Sequence, residues 1–180
     1  MVEKKRSWLA KPAVKAVITV LVLVVVLGGA AGGIYMTQIP PAQPINYIHS
    51  THVGLGAPCL YCHAGAATGP TAGLPSAMKC WGCHQQIKNG SAEITKLADY
   101  VHKGIEIPWV PVAIQPDFVH FNHRPHIAAG VNCETCHGDV GKMRTAQPQK
   151  GQGMGWCLDC HKKMAPAKFE KLSACETCHY

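Results

Sequence analysis

Ten cysteines and eleven histidines are the side chains with the most chemistry to offer in this 180-residue chain, and their spacing is regular. Every cysteine falls in one of five copies of Cys-x-x-Cys-His: Cys59/Cys62/His63, Cys80/Cys83/His84, Cys133/Cys136/His137, Cys157/Cys160/His161 and Cys175/Cys178/His179. Two thiols separated by two residues sit on one short turn, where they can bond to the two vinyl groups on adjacent edges of a porphyrin. The histidine that follows then points at the iron. Structural zinc sites and thioredoxin-like redox sites also use Cys-x-x-Cys, but neither requires a His directly after the second Cys. On composition alone, five such placements arise about once in a million. A disulfide framework, the usual staple of a small exported domain, leaves the spacing unexplained. The motifs predict five covalent haem c groups, with the ten cysteines as attachment points and His63, His84, His137, His161 and His179 as the proximal iron ligands.

A low-spin electron-transfer haem needs a ligand on each face, so five irons need five distal ligands. Six further histidines are available: His49, His52, His102, His120, His123 and His126. Four of them belong to an internal repeat, because the stretch from His52 to Cys59 aligns without gaps on that from His126 to Cys133, with His49 and His123 three residues upstream. Each repeat reads His-x-x-His, Cys-x-x-Cys-His, a spacer, then another Cys-x-x-Cys-His, and the fifth motif is appended at the C-terminus. Two histidines three apart on a helical turn lie close together but diverge, so one pair can serve two haems. His49, His52, His123 and His126 are therefore expected as distal ligands. The fifth place stays open among Met143, Met154 and His102, a methionine there giving one His/Met haem of raised potential. His120, outside the repeat, carries no assignment.

The elements that must position these groups are short. Gly and Pro total 31 and only 7% of residues are aromatic, so most of the length cannot build long regular elements or a conventional core. One helix is expected from Ser91, with Ile94, Leu97, Ala98 and Val101 on one face and Gly104 as its stop. The fold expected is mostly irregular with small α elements, and haems forming the core.

Residues 16–36 carry no charge and, as a helix rising about 1.5 Å per residue, just cross a hydrocarbon layer of about 30 Å. A basic, apolar, small-residue stretch also fits a cleaved signal peptide; the length of the apolar run favours an anchor. The net charge of +7 is uneven: Lys4, Lys5, Arg6, Lys11 and Lys15 cluster at the N-terminus and the next basic residue is Lys79. That asymmetry reads as membrane topology with the N-terminus cytoplasmic, not as a nucleic-acid surface. The expected organisation is a cytoplasmic basic segment over 1–15, a transmembrane helix over 16–36, a Pro-rich linker over 37–47 and a pentahaem domain over 48–180. Its repeat-like halves cover 48–90 and 119–165. Haem attachment places that domain on the periplasmic side of a bacterial inner membrane.

The motifs with the two His-x-x-His pairs, the central Ile107-Pro108-Trp109-Val110 and Pro116-Asp117-Phe118-Val119-His120-Phe121-Asn122-His123, and Met154-Gly155-Trp156-Cys157-Leu158-Asp159-Cys160-His161 resemble the pentahaem cytochrome subunit of bacterial alternative complex III. The paired arrangement is also similar to small cytochromes of the c3 and c7 type. The first resemblance implies an electron-transfer subunit that receives electrons from quinol oxidised in integral membrane subunits. Its implied partners are those subunits, an iron-sulfur subunit and a monohaem cytochrome, with delivery to an external acceptor. Pro111-Val112-Ala113-Ile114-Gln115 departs from the more basic stretch expected there.

Two other functions compete. A multihaem reductase needs an iron with an open face and a pocket of acid-base residues, and about 28 residues per haem leave little protein to build one. A free-standing membrane quinol dehydrogenase or shuttle cytochrome needs only the anchor and the haems, yet residues 16–36 hold no ionisable group except Tyr35 for proton handling. The chain is expected to have no catalytic centre of its own.

Overall fold

The structure, a computed structural model, describes residues 11–36, 40–149 and 151–180. Lys4, Lys5 and Arg6, with most of the expected cytoplasmic segment, and residues 37–39 of the expected linker lie outside the described residues. The chain divides into two units, residues 1–39 and 40–180.

In the first unit, helix α1 runs Pro12–Met36 and so begins a turn earlier than the uncharged stretch. Proline at the first helical position supplies a pre-set φ and gives up an N–H that would have no partner there anyway. The Lys11 carbonyl accepts the Val14 and Lys15 N–H groups at 3.1 and 3.2 Å, closing the first turn. At 25 residues α1 is about 37 Å long. Its length and composition allow it to cross a membrane.

The second unit is helical, and no strand occurs among the described residues. Its helices are α2 (His49–Gly54), α3 (Cys59–Cys62), α4 (Gly65–Thr68), α5 (Ala77–His84), α6 (Ala92–Lys103), α7 (His123–Ala128), α8 (Cys133–His137), α9 (Met154–Met164), α10 (Phe169–Ser173) and α11 (Cys175–Cys178). Single 3-10 turns lie at Val140–Lys142 and Pro166–Lys168.

Helix α6 forms as its spacing predicts. Ser91 caps it, its side chain accepting the Ile94 N–H, and Gly104 ends it at φ 65°, a left-handed conformation that favours glycine. Ile94 and Leu97 are buried against Ile45, Ala77 and Ile107, with Trp81, Tyr100, Val101 and Trp109 packed around them. Carboxylates lace this cluster to its flanks: Glu93 accepts the Asn46 N–H at 2.7 Å and Glu106 accepts the Ala77 N–H at 2.9 Å. The Gln43 amide pairs with the backbone of Val110 in both directions, at 2.9 and 3.0 Å.

No other packed cluster of this kind occurs among the described residues. From residue 108 to the C-terminus none of them is buried. Side chains alone fill very little of this unit.

Leu97 retains only 2% of its exposure, so Leu97→Ala removes atoms from the one packed cluster. The variant is expected to lose about 2–5 kcal/mol of stability in urea unfolding. Leu74→Ala, at a side chain 58% exposed, should stay within about 0.5 kcal/mol of the parent.

Candidate functional site

Each Cys-x-x-Cys lies on a single helical turn, on α3, α5, α8, α9 and α11 in order, which brings its two thiols to one face. All ten cysteines are free and none is buried. The motif treats the ten cysteines alike, but the fold does not: Cys59, Cys83 and Cys175 are exposed, and the other seven are half-buried. On α5 the cause is visible. Cys80 packs against the buried cluster around α6, whereas Cys83, one turn further along and next to the end of the helix, stands in the open. The polypeptide therefore shelters one thiol of this motif and leaves the other to whatever group bonds to it. Partial burial pushes the thiols of Cys62, Cys80, Cys133, Cys136 and Cys157 up.

Histidines from different elements meet in pairs. The ring centres of His52 and His84 are 6.0 Å apart, those of His123 and His137 6.2 Å, and those of His126 and His161 6.0 Å. His49 lies near His63: burial pushes the His49 pKa down, and the His63 and His52 charges add to the effect. Burial likewise lowers His137, with His123 and His63 contributing. His123 thus faces the motif that follows its pair, His52 and His126 face the motif after that, and His49 lies near the histidine of the motif that follows it. Two imidazoles bound through Nε2 to opposite faces of one metal, at the length of about 2 Å usual for this ligand, have ring centres about 6 Å apart.

Backbone carbonyls set the tautomer of six rings. The Nδ1 atoms of His52 and His126 lie 2.9 and 2.8 Å from the carbonyls of Ile48 and Asn122. Those of His63, His84, His123 and His179 lie 2.7, 3.1, 2.7 and 2.7 Å from the carbonyls of Gly73, Ile87, Pro70 and Phe118. A proton held on Nδ1 leaves the Nε2 lone pair free for a metal and raises its basicity. His49 and His161 bury Nδ1 without a hydrogen-bond partner.

The two repeats clasp each other reciprocally. The His49 and Ser50 N–H groups donate to Arg144 and Met143 carbonyls at 3.1 and 2.9 Å; those of His123 and Arg124 donate to Pro70 and Gly69 carbonyls, both at 3.2 Å. The shift that carries His49 to His123 also carries Pro70 to Arg144 and Gly69 to Met143. Exchanged contacts of this kind are those of a local two-fold axis. Equivalent residues meet at such an axis, and here the Cys59 thiol lies close enough to that of Cys133 for the two to interact electrostatically.

The fifth motif stands differently. His179 is held by Phe118, whose ring also stacks near it at 5.9 Å, and the His120 N–H donates to the Cys178 carbonyl at 2.8 Å. The His120 ring stacks on Tyr180 at 4.2 Å. Among the residues expected as candidates for the fifth distal place, His102 sits edge-on to Trp81 at 6.2 Å. Met143 lies in the segment that clasps α2, and Met154 opens α9, 62% exposed. Cys157, one turn along α9, is close enough to Cys178 for the two thiols to interact electrostatically.

The family described as cytochrome c7 and related cytochrome c matches residues 119–180. The multiheme cytochrome c subunit of menaquinone reductase from Nitratidesulfovibrio vulgaris is 33% identical over 160 residues, covering 76% of this chain and 76% of the relative. The chain belongs to the multihaem cytochrome c family. Haem c is therefore its cofactor class, and the residues present fit that group. The thiols come in pairs on one turn, the imidazoles face one another across a gap of the right width, and the matched C-terminal part is a helical domain whose described residues bury no side chain of their own.

Sequence reasoning missed two residues of this cytochrome, Tyr47 and Phe121, which pack on the His-x-x-His rings. The available signal was an aromatic residue two positions before each pair. It also missed the loop after the first motif, where carbonyls of Gly69, Pro70 and Gly73 hold four backbone or ring donors.

A methyl group on Gly65 would lie 2.5 Å from the Thr71 carbonyl oxygen and 2.8 Å from that of Ala72, both backbone atoms. Gly65→Ala is expected to push this loop outward and cost about 1–3 kcal/mol in urea unfolding. Gly69→Ala meets its nearest neighbour at 3.7 Å and should cost clearly less; equal costs would show that the loop does not press on α4.

Proposed function

We propose that this cytochrome carries five covalent c-type haems, four of them held between paired histidines, and relays electrons between a membrane quinone pool and a redox partner outside the membrane. The observation that carries this reading is the pairing itself. His49 with His63, His52 with His84, His123 with His137 and His126 with His161 would each supply both axial ligands of one iron. The chain's residues then attach, orient and space the groups. Haem iron supplies a reversible one-electron change between its ferric and ferrous forms. With both faces of an iron occupied by protein, electrons can pass but substrate cannot bind, which suits a relay subunit with no catalytic centre of its own.

α1 would anchor the subunit, with residues 1–10 on the cytoplasmic side and the haem domain on the periplasmic side. The resemblance to the pentahaem subunit of alternative complex III supports a place in a membrane complex. Its other subunits would be integral membrane proteins, an iron-sulfur subunit and a monohaem cytochrome, and quinol would be the electron donor. The menaquinone reductase relative favours a second reading in which the same relay runs toward the quinone. Detergent-solubilised complex mixed with menaquinol distinguishes them: appearance of the reduced haem band supports quinol as donor. Oxidation of pre-reduced haem by menaquinone without reduction by menaquinol supports the second. A lone small cytochrome after gentle solubilisation would remove the complex altogether.

The denatured protein is expected to exceed its polypeptide mass by five haems. Replacing His49, His52, His123 or His126 with Ala should each convert one low-spin haem to a high-spin or weakly ligated one, since an iron deprived of its sixth ligand loses its strong field. The thioether bonds would keep the haem in place. Unchanged low-spin EPR signals in any one variant remove that residue from the ligand set.

For the fifth iron, Met154 is the candidate that lies on the element beside the fifth motif. A near-infrared band from ferric methionine ligation is expected. It should be lost in Met154→Ala and kept in Met143→Ala and His102→Ala; no such band in the parent protein would end the methionine assignment.

A further inference from the structure

We infer that Tyr47 and Phe121 are positioning residues, each fixing the rotation of two imidazoles that belong to two different haems. The inference rests on the ligand assignment proposed above. Tyr47 meets His49 edge-on, with ring centres 4.8 Å apart and planes at 89°, and lies over His52 at 4.3 Å and 23°. Phe121 repeats the arrangement, at 4.8 Å and 87° to His123 and 4.7 Å and 31° to His126. The same wedge is thus built twice, at equivalent positions and from different residue types. Edge-on and offset-stacked contacts at such separations are the arrangements that aromatic rings favour.

The reason a wedge is needed lies in what the other contacts leave free. An imidazole bound to iron through Nε2 and anchored through Nδ1 to a carbonyl, as His52 is to Ile48 and His126 to Asn122, is restrained in its turn about the bond to the metal by one hydrogen bond, and His49 lacks even that. That turn decides which iron d orbital the ring π system overlaps, and so the splitting of the d levels. An aromatic face stacked on the ring blocks it. One wedge touches both members of a His-x-x-His pair, so it acts on two irons at once.

The two wedges also differ in their support. Tyr47 packs against Trp109, beside the buried cluster, at 6.4 Å. Phe121 is 36% exposed. The paired rings also differ in relative plane: 68° for His52 and His84, against 7° for His123 with His137 and 25° for His126 with His161. Near-perpendicular imidazoles give a strongly anisotropic low-spin EPR signal, and near-parallel ones give a rhombic signal.

EPR of the fully haem-loaded protein tests this. The parent should show both signal types. Tyr47→Ala and Tyr47→Leu should shift the strongly anisotropic signal while leaving the rhombic signals of the second repeat in place. Phe121→Ala should do the reverse, and Tyr47→Phe should restore the parent spectrum, because the ring and not the hydroxyl sets the plane. Unchanged spectra in Tyr47→Ala and Phe121→Ala overturn the inference. So does an equal change in all signals in either variant, which would mark a general loss of structure. A parent protein without low-spin bis-imidazole signals would instead overturn the ligand assignment on which the inference stands.

Discussion

Imidazoles paired across a gap of about 6 Å are the constraint around which residues 40–180 are built. A His-x-x-His turn supplies two rings, but each must meet a histidine from another element with its Nε2 facing the gap. Backbone carbonyls hold the protons on Nδ1, the reciprocal bonds between repeats fix where the helices α2 and α7 start, and an aromatic wedge limits ring rotation. Together these contacts hold the paired rings near one another.

This arrangement leaves little protein for packing. Six hydrophobic side chains are buried among the described residues, five of them in the cluster around α6. Ordering a chain costs about 1–2 kcal/mol per residue in backbone entropy alone, and a domain this small cannot recover that from so few buried groups. A multihaem cytochrome meets the deficit with large apolar cofactors bonded covalently to short helical turns. The absence of any buried side chain among the described residues after position 107 is therefore the expected signature of a polypeptide shaped to wrap something else. Glycine serves the same end at Gly65, where the loop backbone comes too close for a side chain, and that loop anchors rings from both repeats.

The duplicated scaffold is not used identically in its two halves. His123 has its Nδ1 bound to Pro70, whereas the equivalent His49 buries its Nδ1 without a partner. Tyr47 leans on Trp109, and Phe121 stands near the surface. Axial ligands and their hydrogen bonds are strong levers on haem potential, which spans about 0.8 V across haem proteins. On the ligand assignment proposed above, equivalent sites in the two repeats would have a structural reason to differ in potential.

Much of the chemistry was legible in the residues alone. Cys-x-x-Cys-His works through neighbours on one turn, His-x-x-His through one more, and α6 through a local cap, an apolar face and a C-terminal glycine; local geometry needs no tertiary information. The apolar length of α1 was legible for the same reason, although its start at Pro12 was not, since the bonds from the Lys11 carbonyl set it. The unequal shelter of Cys80 and Cys83 was not legible either, because it comes from the cluster that packs on one of them and not from their shared motif. Which histidine faces which could not be read, because partners such as His126 and His161 are brought together by the folded path and not by spacing. Nor could the local two-fold relation, whose bonds join Arg144 to His49 and Pro70 to His123, residues far apart in the chain. The roles of Tyr47 and Phe121 belong here too: an aromatic residue before a histidine has no meaning until its ring is seen to lie on two imidazoles at once. Local sequence determined which groups could carry the chemistry, and the tertiary structure decided their pairing and orientation, because those depend on contacts between residues far apart in the chain.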